Sequence, residues 1–258
     1  MNLAESTLRK YIRQLLKEGV YDPGIFKAVF MAGGPGSGKS YTAKSVFGGD
    51  SDAAQSTATA SGLKLVNSDP AFEMFLQKAG IDPADLGTMS PKEFEKLTVG
   101  PDSPRGKSKS IRNMQQAGYH KGSLGVVIDG TGDDYAKIAK KKAVIEELGY
   151  DTMMLFVNTS LEVAQKRNRD RDRKLPDDLV EEIWQDVQQN MGSFQTLFGR
   201  KDFVIIDNTV YGPPPKEAIK AANAFVKQPV QNPIGREKIE QMLAAKGPEA
   251  RLPKQRSN

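Results

Sequence analysis

Residues 33–40 read Gly33-Gly34-Pro35-Gly36-Ser37-Gly38-Lys39-Ser40. Glycines at this spacing let backbone N–H groups turn inward and converge on an anion. A helix that begins here would add the positive end of its dipole to the same anion. Lys39 brings a full charge suited to β- and γ-phosphates, and the Ser40 hydroxyl suits a magnesium ion. The segment is a complete G-x-x-x-x-G-K-[ST] motif, so residues 33–40 with the adjoining Tyr41 are expected to hold ATP or GTP with Mg2+.

Two carboxylates follow short apolar runs. Asp69 comes after Leu63-Lys64-Leu65-Val66, and Asp129 after Leu124 to Ile128. In an open parallel sheet, ligands gather beyond the carboxyl ends of the strands. There Asp69 could take the proton from an acceptor hydroxyl during phosphoryl transfer. Asp129 could hold a magnesium-bound water, and Thr131 could touch substrate. Asp69-Pro70 is equally well formed as a helix cap with proline at the first helical position. Asp129-Gly130 also reads as a plain turn.

The segment from Lys166 to Lys174 holds six basic and two acidic residues. It suits a solvated helix face laced with charge pairs. It also suits a lid whose guanidinium groups stabilise the charge spread over a transferring phosphoryl group. Arg167 and Arg171, four residues apart, are expected on one helical face toward the nucleotide; Arg169 and Arg173 form a second such pair, toward solvent or Asp170 and Asp172. Arg105, Lys107, Lys109 and Arg112 form another basic stretch that either borders the acceptor pocket or is solvated; Arg112 is assigned to substrate.

The inventory excludes much else. The chain has 258 residues, no cysteine and one histidine, His120, so disulfides, thiolate chemistry and multi-histidine metal sites are out. The net charge is +5, but residues 21–226 carry 26 basic and 27 acidic groups, and the excess lies in 1–20 and 227–258. A domain-wide basic footprint for nucleic acid is therefore absent, although local clusters could grip phosphates. No apolar run is long enough to span a membrane, and the first residues lack a secretory pattern. A cytoplasmic location, a host's cytoplasm if the source is a phage, is the expectation.

The elements that must position these groups follow from periodicity. Apolar runs at 25–32, 63–66, 124–128, 153–157 and 203–206 alternate with helical stretches. That pattern predicts an α/β P-loop NTPase fold, a five-stranded, mostly parallel sheet with helices on both faces. Residues 1–20 read as an amphipathic helix, 21–226 as the kinase-type domain with a lid at about 166–176, and 227–258 as a basic tail with one short helix. Gly48 to Gly62 reads as a loop, and 99–106 as irregular before a basic helix at 107–116. Capping boxes are expected at Ser90 to Glu93 and Thr159 to Glu162.

Over about residues 25–226 the chain resembles the P-loop kinases that include zeta toxins and phage polynucleotide 5′-kinases. Four pieces carry the resemblance in order: the loop at 33–40, Val66-Asn67-Ser68-Asp69, Val127-Ile128-Asp129-Gly130-Thr131, and Arg167-Asn168 with Arg171 and Pro176. As a whole the chain is similar to kinase-like proteins of tailed bacteriophages. The resemblance implies that Asp69 is the general base, that Arg167 and Arg171 bind donor phosphates, and that magnesium is the cation. Polynucleotide kinases place an arginine one turn after the base; here Ala71-Phe72-Glu73 stands there. Zeta toxins place one soon after the acid-Gly-Thr; here Gly132 and Asp133 follow. The expectation is an ATP-dependent kinase acting on a hydroxyl of a nucleotide-like, nucleotide-sugar or nucleic-acid acceptor. An NTP hydrolase and a non-catalytic ATP-binding switch are the alternatives.

Overall fold

A computed structural model describes residues 19–48, 61–171 and 174–246. The expected N-terminal helix, most of the loop after Gly48, Asp172, Arg173 and the end of the tail lie outside the described residues.

Five parallel strands form one sheet: β1 (Lys27–Ala32), β2 (Lys64–Val66), β3 (Val126–Asp129), β4 (Asp151–Asn158) and β5 (Phe203–Asp207), in the order β2-β3-β1-β4-β5. All five sit where the apolar runs predict strands. In the register, Met31 of β1 lies beside Asp129 of β3, and Asn158 of β4 beside Asp207 of β5. The carboxyl ends therefore form one edge, where the phosphate-binding loop leaves β1.

Alternation along the strands feeds two cores. Ala28, Phe30, Ala32, Met154 and Phe156 face one layer; Val29, Met31, Met153, Leu155 and Val157 face the other. The second layer is covered by α1 (Lys39–Phe47) and α8 (Lys216–Lys227), through Ala43, Val46, Phe47, Ala222 and Phe225. The first is covered by α5 (Tyr135–Glu147), α7 (Asp177–Phe198) and α9 (Pro233–Ala245), with Ile145, Val187, Phe194, Ile239 and Met242. Helix α9, expected in a basic tail, is thus part of the core. Asp151 accepts from the backbone N–H groups of Gln231 and Asn232, and the Asn232 side chain caps the helix.

A small annex follows β2. Helix α2 (Asp69–Lys78), a 3-10 turn (Pro83–Gly87) and α3 (Pro91–Thr98) bury Phe72, Leu76 and Leu86 in their own cluster. The capping box at Ser90 and Glu93 is formed. Helix α4 runs Pro104–Lys121, longer than periodicity indicates, because Ser103 accepts from Gly106 N and Pro104 takes the first helical position.

Helix α6 (Leu161–Asp170) corrects a second expectation. Its cap is Ser160, whose hydroxyl accepts from Val163 N, so Thr159 and Glu162 do not form a capping box. Thr159 stays in the preceding turn, where its carbonyl accepts from Trp184 Nε1.

Candidate active site at the carboxyl edge of the sheet

The phosphate-binding loop joins β1 to α1. Gly38 adopts the left-handed conformation, φ 88°, just before the helix, which a residue with a Cβ resists. A Cβ on Gly36 would meet the Ala164 carbonyl oxygen of α6, so the loop and α6 pack backbone to backbone. Gly33 N donates to the Thr131 carbonyl, which ties the loop to the end of β3. Thr131 therefore contributes its backbone to loop support. Ser37 is buried, Ser40 and Tyr41 are exposed, and Gly34 lies against Trp184.

Lys39 Nζ donates to the carbonyls of Gly33 (2.5 Å) and Gly34 (3.2 Å). Its pKa is lowered chiefly by burial, against the opposing pull of Asp129 and then Asp69; the Arg171 charge adds to the lowering. The structure thus brings Asp69, Asp129 and Arg171 within electrostatic reach of Lys39, although the four come from separate segments.

Asp69 is the first residue of α2, and its backbone N–H donates to Asn67 Oδ1. Ser68 holds the cap position, so Asp69 does not cap the helix. The Asp69 carboxylate instead accepts from Arg105 Nη1 at 2.8 Å. Arg105 projects from the first turn of α4, and its guanidinium lies over the Phe72 ring, 5.1 Å from the centroid. An arginine is absent one turn after Asp69 in sequence, but α4 delivers one to the same place. The basic stretch at 105–112 was the available signal. Arg112, assigned to substrate by sequence, sits two helical turns further along α4, in a separate cleft beside α5.

The two lid arginines part company. Helix α6 ends at Asp170 and Arg171 is already extended, so they do not share a continuous helical face. Arg171 Nη2 donates to Asn168 Oδ1. Arg167 Nη1 donates to the Asn208 carbonyl at 2.8 Å. Arg169, 55% exposed, pairs with Asp177. Asn168, fully buried, pins the lid turn by donating to Leu175 O and accepting from Leu175 N. Lys174 lies against the annex, where a Cβ on Gly87 would come within 3.0 Å of Lys174 Cβ.

Asn208, after β5, is a residue the sequence did not single out. Its side-chain amide donates to Ser37 O at 2.7 Å, while its own carbonyl accepts from Arg167. One residue therefore links the phosphate-binding loop, the end of β5 and the lid helix. Nearby, Tyr41 and Tyr211 stack with ring centroids 6.0 Å apart, an aromatic surface beside the loop.

The order of strands, the loop and the fold agree with a match to the AAA domain family over residues 29–194. The chain belongs to this family. The family domain thus includes the phosphate-binding loop, Asp69, Asp129, Arg167 and Arg171. No curated protein matches the sequence. Among solved structures, the chain is similar to the AvrRxo1-ORF1:AvrRxo1-ORF2 complex with sulphate ions, with 15% identity, 90% of this chain and 70% of that chain covered, and a TM-score of 0.49. It is similar to the PezAT chromosomal toxin–antitoxin system of Streptococcus pneumoniae, with 14% identity, 93% and 95% covered, and a TM-score of 0.48. It is also similar to a gluconokinase from Sinorhizobium meliloti 1021, with 14% identity, 86% and 98% covered, and a TM-score of 0.42.

Among the described residues, no cluster of three or more His, Cys, Asp and Glu side chains could hold a metal ion. The oxygen donors at the site, the Ser40 hydroxyl and the Asp129 carboxylate, fit a hard cation that takes its other ligands from phosphates and water. No helix among the described residues is long and apolar enough to cross a membrane.

Proposed function

We propose that the protein is an ATP-dependent kinase that transfers the γ-phosphate to a hydroxyl of a nucleotide-like, nucleotide-sugar or nucleic-acid acceptor. One observation carries this reading. Lys39 on the donor side and Asp69 on the acceptor side act on each other electrostatically, with Asp129 beside them. A protein that only binds nucleotide has no need of a second carboxylate within reach of the loop lysine.

The loop amides and Lys39 hold the β- and γ-phosphates. Ser40 and Asp129 would hold Mg2+, which screens phosphate charge when bound. The acceptor oxygen attacks the γ-phosphorus, the bond to the β–γ bridging oxygen breaks, and ADP leaves. Asp69 takes the hydroxyl proton as that bond forms. Arg171, whose charge acts on Lys39, stabilises the equatorial oxygens. Arg167 acts on the lid by fastening it to Asn208. Tyr41 and Tyr211 offer a face for the purine ring.

The test is transfer of labelled γ-phosphate to nucleosides, 5′-hydroxyl oligonucleotides and nucleotide sugars. Transfer to one class that is lost in Asp69→Asn supports the reading. Phosphate release without any acceptor, surviving Asp69→Asn, would identify an NTP hydrolase instead.

A further inference from the structure

Helices α4 and α5 descend side by side from the catalytic edge toward the opposite edge of the sheet. Between them lies a cleft of about 360 Å3. Arg112 and His120 line it from α4; Lys137, Lys140 and Lys141 line it from α5, and no carboxylate among the described residues lines it. None of these four cations makes an ion pair among the described residues. Arg112 Nε and His120 Nδ1 are buried without a hydrogen-bond partner among the described residues. Arg112 spends Nη2 on the adjacent Asn113, and Gln116 Nε2 lies 2.9 Å from His120 Nε2.

Lys137 and Lys140 are exposed at the rim, whereas Arg112, His120 and Lys141 are half-buried. Two nitrogens, on Arg112 and His120, are shut away from solvent beside these charges, an arrangement that an anion relieves. Burial, reinforced by Arg112 and Lys137, pushes the Lys141 ammonium down to about 8. The cleft also carries an apolar wall, with Val144 49% and Leu148 36% exposed. A guanidinium matches phosphate geometry, and an apolar wall suits a sugar or base face. Arg112 lies seven residues beyond Arg105, roughly 10 Å along the helix axis, so the cleft is separate from Asp69.

We propose that the α4–α5 cleft is a second phosphate-binding site, distinct from the phosphate-binding loop, that takes a nucleotidyl phosphate, with the phosphate on Arg112, Lys137 and Lys141 and the ring face on Val144 and Leu148. Lys109, which feels the charges of Arg105, Lys137 and Arg112, extends the positive surface toward Asp69. This site stands whether or not the protein transfers phosphate.

The experiment uses the full chain carrying Lys39→Ala, which disables the loop, and titrates it with 5′-AMP and with single-stranded oligothymidylate. Binding of AMP assigns the site to a mononucleotide; binding of the oligonucleotide alone assigns it to a strand. Either is expected to weaken at least about tenfold in Lys137→Gln/Lys141→Gln, with the salt slope reduced by about one per lost contact. Affinity should fall as pH rises from 7 to 9, because Lys141 loses its proton in the free protein near 8. Arg112→Lys, which keeps the charge but not the planar fork, should weaken binding less. Folding of each variant is read from its melting curve, and the double variant with Lys39 intact should keep its ATP-induced rise in melting temperature. No binding of either probe to Lys39→Ala, or undiminished binding in the double variant, overturns the proposal.

Discussion

Arg105 Nη1 lies 2.8 Å from Asp69 Oδ1, although 36 residues separate them in sequence. The pair is partly solvated, with the side chains 30% and 32% exposed, so its contribution to stability is small. Its value is positional. Arg105 holds the carboxylate from one side while stacking on Phe72, so the annex and α4 jointly orient the proposed base.

Arg105→Ala should therefore change melting by less than about 1 kcal/mol of stability. A charge-assisted contact is worth about 1.5–3 kcal/mol, so kcat/KM for the acceptor should fall roughly 10- to 100-fold. The KM for ATP should stay near its wild-type value. Steady-state kinetics with each substrate varied separately, beside a melting curve, makes the comparison.

Lys39 is a half-buried ammonium whose pKa burial lowers. Removing it relieves a desolvated charge, so Lys39→Ala should match or exceed the wild type in melting temperature. The ATP-induced rise in melting temperature should disappear. Trp184, the one tryptophan in the chain, lies against Gly34 and provides an optical readout. Its fluorescence should respond to ATP in the wild type and stay flat in Lys39→Ala.

Gly38 leaves room for Asn208. A Cβ on Gly38 would clash with Asn208 Nδ2, and φ is 88° there. Gly38→Ala should abolish nucleotide binding by isothermal calorimetry while circular dichroism still shows a folded chain. Asn208→Ala removes the bond to Ser37 O from a buried position. It should cost about 1–3 kcal/mol of stability in denaturant titrations, the carbonyl being left without its donor, and weaken ATP binding as well.

His120 supplies a pH prediction. Burial first, and the nearby Lys141 charge second, push its pKa down to about 4. The unfolded chain takes up this proton near 6.5. Between those values the unfolded state binds more protons, so stability falls as pH drops from about 6.5 toward 4. Thermal unfolding between pH 7 and 4.5 should show a shallower acid loss in His120→Gln than in the wild type.

The sequence by itself determined the features written in local spacing. The five strands, the phosphate-binding loop and the Ser90 cap could be read because each depends on side-chain alternation or on residues within one turn. Asp69 and Asp129 could be placed at one edge because parallel strands bring their carboxyl ends together. Tertiary structure decided the pairings that depend on how helices pack across the sheet. It placed Arg105 rather than Arg112 beside Asp69. It also turned Arg167 onto Asn208, ended α6 before Arg171, and drew the tail helix α9 into the core. Spacing on one helix says which residues share a face. It does not say what lies opposite, because that partner comes from a distant segment whose approach is fixed only when both cores are buried.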